Sequence, residues 1–208
     1  MSSPASVSVV VVNYNRREML RDCLKSLLFQ TRPPLEIIVV DNGSADLSAD
    51  LVEKEFGDRV RVIRLPKNLG FAGGNNVGLR AASGDWVALI NNDAVADPGW
   101  LAGMLEAAAA DPKAGLVACR VLRAEKRDLL DNIGVRLWPD GMSRGAHHFQ
   151  RAGAIAGARE LIPSGAAMLG RRDALLEAGG FDESFFCYSE DTDLGLKVRL
   201  LGFSCVVA

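Results

Sequence analysis

Apolar runs of five or six residues alternate along the chain with stretches in which apolar residues recur every three or four positions. Residues 7–12 form a mostly β-branched run, which is typical of a strand buried on both faces of a parallel sheet. Similar runs predict strands over residues 35–40, 60–65 and 86–90. Because helical stretches separate them, the pattern indicates βαβ units and an α/β fold, a mostly parallel sheet flanked by helices on both faces.

The first helix is predicted to follow the first strand at once. Asn15 is placed to cap it, and Glu18 completes a capping box three residues later. Its apolar stripe consists of Met19, Cys23, Leu24, Leu27 and Leu28. Further helices are predicted over residues 47–56, 98–110, 172–178 and 190–201, and further strands over 115–122, 161–169 and from Phe203 onward.

Two parts of the chain lack this regular alternation. Residues 123–160 carry charges, two histidines and several glycines without clear periodicity, which indicates an irregular excursion or hairpin over one face. The last apolar run ends abruptly at Ala208, and we therefore expect a truncated C-terminus.

Composition narrows the class of protein. The 208 residues are 49% hydrophobic and 24% charged, with a net charge of -2 and scattered Lys and Arg, which suits a globular protein and argues against nucleic-acid binding. No apolar stretch reaches the ~20 residues that span a bilayer. Residues 1–6 lack a secretory signal, and the four dispersed cysteines fit buried free thiols, so we expect a cytoplasmic chain.

Polar segments follow several predicted strands at the point where each strand ends. They cover residues 13–15, 41–44, 68–78 and 91–93, and an acidic pair opens the helix at residue 190. Ligands of open α/β sheets bind outside the carboxyl ends of the strands, so these segments are expected to converge on one crevice. Their carboxylates, amides and glycines suit a nucleotide sugar.

The turn after the first strand argues against a dinucleotide. Val12, Asn13, Tyr14 and Asn15 supply no glycine-rich loop through which backbone N–H groups could approach pyrophosphate. A base and ribose could instead lie across this strand end, with Asp41 of the second strand accepting a hydrogen bond from either. A plain turn and helix cap are the alternative for both segments.

A glycine- and amide-rich segment opens the helix before the fourth strand. Bare N–H groups at a helix N-terminus favour negative charge, so this segment could hold a phosphate or ribose. An ordinary loop anchored by Phe71 is the alternative. The candidate residues are Asn68, Gly70, Gly73, Asn75 and Asn76.

Asn91, Asn92 and Asp93 follow the fourth strand, where a diphosphate would sit. Asp93 is the candidate metal ligand, because Mg²⁺ or Mn²⁺ is commonly bound by one or two carboxylates plus substrate phosphates. A simple turn is the alternative.

Glu190 and Asp191, the candidate catalytic residues, form an acidic pair in the first turn of the last predicted helix. Displacing a diphosphate from a sugar requires an acceptor hydroxyl that loses its proton, and Asp191 is the candidate general base. Asp93 and Asp191 would serve opposite sides of the reacting carbon. Charge that complements the helix dipole, with Ser189 as the cap, is the alternative.

With these residues in place, the chain resembles the inverting glycosyltransferases of family 2, which have a GT-A fold. The resemblance covers nearly the whole chain and rests on residues 10–15, 41–44, 91–93 as a variant of the Asp-x-Asp motif, 179–183 and 190–194. It implies one GT-A catalytic domain over residues 1–208. Residues 1–115 would be the nucleotide-sugar-binding half, and residues 116–208 the acceptor-binding and catalytic-base half.

The resemblance also implies the reaction, in which a sugar passes from a nucleotide diphosphate donor to a saccharide or lipid-linked acceptor with inversion. Asp41 would contact the nucleoside, Asp93 the metal-bound diphosphate, and Asp191 would be the base. Residues 68–78 are similar to bacterial cell-surface polysaccharide enzymes, particularly rhamnosyltransferases using dTDP-rhamnose, and a UDP-sugar is the other donor considered. A lipid-linked acceptor would bring the chain to the inner face of a membrane as a peripheral protein. Asn91 replaces the leading acid of Asp-x-Asp, which implies weaker metal affinity.

Two other classes of protein fit part of the pattern. A sugar-phosphate nucleotidyltransferase also places a metal site among alternating strands and helices, but it should have a glycine-rich, basic loop after the first strand. A non-catalytic nucleotide-sugar-binding module is the second class, and binding without turnover would support it.

Overall fold

A computed structural model gives the structure of the protein over residues 5–154 and 162–208. The strands within these residues are β1 (Val7–Asn13), β2 (Glu36–Asp41), β3 (Arg61–Arg64), β4 (Trp86–Ile90), β5 (Ala114–Ala118), β6 (Val121–Arg123), β7 (Lys126–Asn132), β8 (Val135–Leu137), β9 (Ser143–Gly145), β10 (Ala167–Arg171) and β11 (Ser204–Val207). The helices are α1 (Arg17–Leu28), α2 (Ser48–Phe56), α3 (Gly70–Ala81), α4 (Trp100–Ala109), α5 (Arg172–Glu177) and α6 (Glu190–Leu200).

Seven strands form the central sheet, in the order β11-β5-β10-β4-β1-β2-β3. All neighbours pair in parallel except β10, which runs antiparallel to both β4 and β5. The predicted mostly parallel sheet is therefore confirmed, with one reversed strand inserted. Ala167 at the start of β10 pairs with Ile90 at the end of β4, so the segment entering β10 lies at the carboxyl edge of the parallel strands.

Helices cover both faces of this sheet, as predicted. On one face, Val9 of β1 shares a core with Leu24 of α1 and Met104 of α4. On the other face, Val10 shares a core with Leu79 of α3 and with residues of α5 and α6. Successive side chains of a strand point to opposite faces, so β1 contributes to both cores, as its mostly apolar run predicts.

The start of α1 differs from the prediction. Asn15 and Arg16 both have left-handed backbone, with φ of 59° and 63°, and the cap position makes no side-chain cap hydrogen bond. The backbone N–H of Arg17 instead donates to Asp46 at 2.9 Å. The capping-box prediction is wrong because Asn15 bonds to the turn after β2. The buried stripe also contains Leu20, whereas Met19 is 49% exposed.

The region after β5 also differs from the prediction. The strand expected over residues 115–122 is divided between β5 and β6, and β10 begins later than the strand expected from residue 161. Two antiparallel ribbons, β6 with β7 and β8 with β9, form much of the predicted excursion and pack on Leu130, Ile133 and Ala146. Residue 161 and the end of the predicted excursion lie outside the described residues.

Three further sequence predictions concern the whole chain. Cys23, Cys119 and Cys205 are buried free thiols as expected, but Cys187 is exposed. No helix within the described residues is long and apolar enough to cross a membrane. The central sheet draws strands from residues 1–115 and 116–208 alike, and the functional division between those halves stays a prediction.

Candidate active site

The carboxyl ends of β1, β2 and β4 meet around the side-chain amide of Asn13, which is fully buried. Its Nδ2 donates to Oδ1 of Asp41 at 3.4 Å and to Oγ of Ser44 at 3.2 Å. Its Oδ1 accepts from Nδ2 of Asn92 at 2.7 Å. The structure thus brings three predicted site residues together, and Asn13 acts as the link between the strand ends.

In the turn after β1, some side chains bond or pack within the protein and one, Tyr14, faces solvent. Asn15 donates its backbone N–H to Oγ of Ser44 at 2.8 Å and accepts at Oδ1 from the N–H of Ala45 at 3.0 Å. Val12 is half-buried, and its methyl groups face Gly74 of α3. Tyr14 is 49% exposed, so its ring is the member of the turn most available to a base.

Asp41 at the end of β2 can accept further hydrogen bonds, whereas the side-chain amide of the next residue, Asn42, already has partners for its donors and its acceptor. Asp41 is buried, and its hydrogen bond from Asn13 is long, which leaves its carboxylate with acceptor capacity. Asn42 donates to Oδ1 of Asn68 and to the carbonyl of Gly70, both at 2.9 Å, and accepts from Leu69. Asn42 therefore fixes the start of α3 against the sheet.

The N-terminus of α3 is not bare, and that part of the phosphate prediction is wrong. Gly70 donates its N–H to Oδ1 of Asn68 at 2.8 Å. The N–H groups of Phe71 and Ala72 donate to the carbonyl of Phe186 at 2.8 and 3.4 Å. A backbone carbonyl from the segment before α6 takes the place that an anion would occupy.

The remaining predicted residues of α3 serve the fold. Asn76 donates to the Phe181 carbonyl and to Glu183, and accepts from the Phe181 N–H at 2.9 Å. Asn75 donates to the carbonyl of Phe71, one turn earlier in the same helix. A Cβ at Gly73 would lie 2.8 Å from the Cβ of Leu69. These residues hold α3 in place, and this geometry gives no support to their predicted contact with the donor.

The segment after β4 presents one exposed carboxylate. Asp93 has 41% of its side chain exposed, and its Oδ2 lies 3.1 Å from Nη1 of Arg16. A surface cavity of about 420 Å³ is lined by Arg16, its neighbours in the first turn of α1, and Asp46. Asp93 thus stands beside an open, partly cationic surface.

Asp191 reaches the same edge of the sheet through β10. Its Oδ2 accepts from the backbone N–H of Gly165 at 2.9 Å, and its Oδ1 from that of Thr192 at 2.7 Å. The next residue, Ala166, accepts the N–H of Asn91 at 2.9 Å. Asp191 is therefore tied to the segment that carries Asp93, and both carboxylates lie at one sheet edge.

Glu190 is buried beside Asp191, with 5% of its surface exposed and no hydrogen-bond partner for Oε2 among the described residues. Burial raises the pKa of the Glu190 carboxyl, and the negative charge of Asp191 acts in the same direction. Ser189, the predicted cap, has φ of 70° and makes no side-chain cap hydrogen bond. The side-chain cap prediction is wrong.

A comparison with known sequences identifies the family of this chain. Residues 8–177 match the model described as "Glycosyl transferase family 2". The chain belongs to glycosyl transferase family 2. That membership confirms the resemblance carried by the strand-end motifs.

Two bacterial proteins are among the relatives of this chain. The O-antigen biosynthesis protein RfbC of Myxococcus xanthus is 32% identical in an alignment that covers 96% of this chain and 16% of that protein. The N-acetylglucosaminyl-diphospho-decaprenol L-rhamnosyltransferase of Mycobacterium tuberculosis (strain H37Rv) is 28% identical in an alignment that covers 95% of this chain and 72% of that protein.

Solved structures support the GT-A fold. Staphylococcus aureus TarS 1–349 has a TM-score of 0.74 at 21% identity, covering 98% of this chain and 58% of that one. The mannosyltransferase PcManGT of Pyrobaculum calidifontis, solved with GDP-Man and Mn²⁺, has a TM-score of 0.72 at 23% identity, covering 100% and 57%. The chain therefore spans less than two thirds of the length of these solved structures.

The candidate site offers few protein ligands for a metal among the described residues. The described residues hold no group of three or more His, Cys, Asp or Glu side chains that could bind an ion. Asp93 supplies one exposed carboxylate, and a hard cation can be held by one carboxylate plus substrate phosphates. This donor set fits Mg²⁺ or Mn²⁺ only together with the diphosphate of a bound donor.

Sequence reasoning assigned no individual role to two residues of this candidate site, Arg16 and Asn42. Arg16 pairs with Asp93, and its position directly after the polar turn was the available signal. Asn42 makes three contacts with residues 68–70, and its place after a buried strand was the signal for it.

Proposed function

We propose that this family 2 domain transfers a sugar from a nucleotide diphosphate donor to a saccharide or lipid-linked acceptor with inversion. The observation that carries the proposal is the meeting of Asp41, Asp93 and Asp191 at one sheet edge, linked through Asn13 and the segment Gly165–Ala166. These carboxylates come from three separate parts of the chain. Ligands of such sheets bind at this edge.

The donor would lie with its base near Tyr14 and its nucleoside hydrogen-bonded to Asp41. The exposed phenol ring of Tyr14 offers a stacking surface, and the buried Asp41 carboxylate offers an acceptor. TarS has been solved with UDP, and one relative is an L-rhamnosyltransferase. These likenesses support a UDP-sugar or dTDP-rhamnose as the donor.

The diphosphate would lie beside Asp93 and Arg16, together with Mg²⁺ or Mn²⁺. A bound metal would neutralise the negative charge that grows on the departing diphosphate. The pair between Arg16 and Asp93 is exposed, and such pairs are worth only about 0–1 kcal/mol, so it can rearrange when a donor binds. Asp93 would then be free to face the metal and Arg16 the phosphate oxygens.

Asp191 would act as the general base. The N–H groups of Gly165 and Thr192 hold its two oxygens, which fixes the direction of the carboxylate. The acceptor oxygen forms a bond to the anomeric carbon as the bond to the diphosphate oxygen breaks. The hydroxyl proton passes to Asp191, and attack opposite the leaving group inverts the configuration.

Calorimetric titration of UDP and dTDP into the 208-residue chain, with and without Mn²⁺, tests the donor and metal assignments together. We expect one nucleotide to bind, and Mn²⁺ to tighten its binding. A preference for dTDP would support rhamnosyl transfer, and a preference for UDP would direct the search to UDP-sugars. Absence of binding by both would contradict the assignment of the nucleotide site.

A further inference from the structure

An aromatic loop lies directly before the acidic pair of α6. We define it as residues 185–189, and it contains Phe185, Phe186 and Tyr188, which are 39%, 55% and 84% exposed. The free energy falls when large aromatic side chains leave water. Three exposed aromatic side chains within four positions therefore form a surface that favours contact with a ligand. This surface is two residues from Asp191 in the chain.

The backbone of the aromatic loop is held in an unusual conformation. Phe186, Tyr188 and Ser189 have φ of 55°, 75° and 70°, a left-handed region that costs a bulky residue free energy. The carbonyl of Phe186 accepts from the first turn of α3, and Gly70 permits this because a Cβ there would lie 2.4 Å from that carbonyl oxygen. The contact with the first turn of α3 therefore holds the exposed loop in this conformation.

The charges around the aromatic loop disfavour an anionic ligand. Residues 182–193 contain five carboxylates and neither Lys nor Arg, with Asp182 and Glu183 before the loop and three more from residue 190. The nearest lysine in the chain, Lys197, is paired with Asp193 at 2.6 Å. An anionic membrane surface would be repelled here.

We propose that the aromatic loop binds a neutral sugar ring of the acceptor, with Tyr188 as its main contact. This inference rests on the proposed function, because the acceptor hydroxyl must reach Asp191. The C–H face of a pyranose is apolar and can pack on an aromatic ring, while its hydroxyls can donate to nearby carboxylates. The loop supplies the aromatic rings, and the carboxylates lie directly before and after it in the chain.

Saturation-transfer NMR with methyl glycosides of N-acetylglucosamine and rhamnose tests the proposal, in the presence and absence of UDP and Mn²⁺. We expect signal with the wild-type chain and with Tyr188→Phe, and a loss of about tenfold in affinity for Tyr188→Ala. Phe149→Ala is the matched control, since Phe149 is 57% exposed but lies outside the aromatic loop. It should bind the glycosides like the wild type.

Several outcomes would overturn the proposal. They are an absence of signal from both glycosides with the wild-type chain, equal binding by Tyr188→Ala, and an equal loss in Phe149→Ala. Lost co-sedimentation of Tyr188→Ala with phosphatidylglycerol vesicles, with glycoside binding unchanged, would assign the loop to lipid instead. Nucleotide titration of the same samples separates the two proposals, because failed UDP and dTDP binding counts against the proposed function, whereas the glycoside result decides the role of the loop.

Discussion

Glu190 is a buried acid whose protonation should be visible in the stability of the protein. Its pKa is raised by burial and by the charge of Asp191, so the folded chain keeps this proton to a higher pH than the unfolded chain. Its contribution to the free energy of unfolding therefore falls as pH rises from the unfolded pKa of about 4.3 through the folded value. Glu190→Gln removes that titration and keeps the shape.

We expect Glu190→Gln to gain stability relative to the wild type as pH rises through this window, and to stay more stable above it. Urea unfolding at a series of pH values from about 4 to 8 measures the difference. Glu106→Gln, at an exposed position of α4, is the matched control. A stability difference between Glu190→Gln and the wild type that does not change with pH would contradict the raised pKa of Glu190.

At the scale of elements, the glycines of α3 decide how closely that helix approaches β1. A Cβ at Gly78 would lie 2.2 Å from Cγ1 of Val10, whose side chain is fully buried and, being β-branched, has little freedom to turn. We expect Gly78→Ala to lower the free energy of unfolding by about 1–3 kcal/mol, despite the higher helix propensity of alanine.

Gly103→Ala in α4 is the matched control for Gly78→Ala. Nothing lies within 4 Å of a Cβ built there, so only helix propensity should act, and the variant should be about 0.5–1 kcal/mol more stable than the wild type. Urea denaturation of both variants gives the comparison. Equal gains in stability would show that α3 does not depend on close contact with β1.

Elements were predictable from the sequence where burial alone sets the pattern. The strand over residues 86–90 and the helix over 172–178 follow from apolar runs and periodicity, and β4 and α5 match them within a residue. The start of α1 was not predictable, because Asn15 has a stronger partner in the turn after β2. Short-range capping rules cannot include a partner from a distant segment.

The same limit applies to the candidate site. Strand-end residues such as Asn13 and Asp41 could be found because parallel strands share one carboxyl edge. The occupied N-terminus of α3 could not, since Phe186 reaches Phe71 from far along the chain. The reversed direction of β10, which brings the Gly165 N–H to Asp191, also depends on pairing that no local pattern contains.

At the scale of the whole molecule, the two carboxylates with separate proposed tasks, Asp93 and Asp191, are held by different strands of the sheet. Asp93 follows the parallel strand β4, whereas Asp191 is hydrogen-bonded to the segment that enters the reversed strand β10. Two variants should therefore fail in different ways. Asp191→Asn should keep nucleotide binding and lose about 10²–10⁴-fold in transfer rate, because the base is removed and the shape is kept.

Asp93→Ala should instead weaken the metal-dependent part of nucleotide diphosphate binding, since it removes the one protein carboxylate proposed to face the metal. Asp173→Asn and Asp97→Ala are matched controls, each an exposed acid without a role in the proposed chemistry. Calorimetry and a transfer assay on all four variants measure both steps.

Transfer by Asp191→Asn equal to that of the wild type would remove the base assignment, and unchanged Mn²⁺ dependence in Asp93→Ala would remove the metal assignment. A loss of binding in both test variants would mean that the sheet edge works as one unit, because the hydrogen bonds through Asn13, Asn91 and Gly165 would then couple the two tasks.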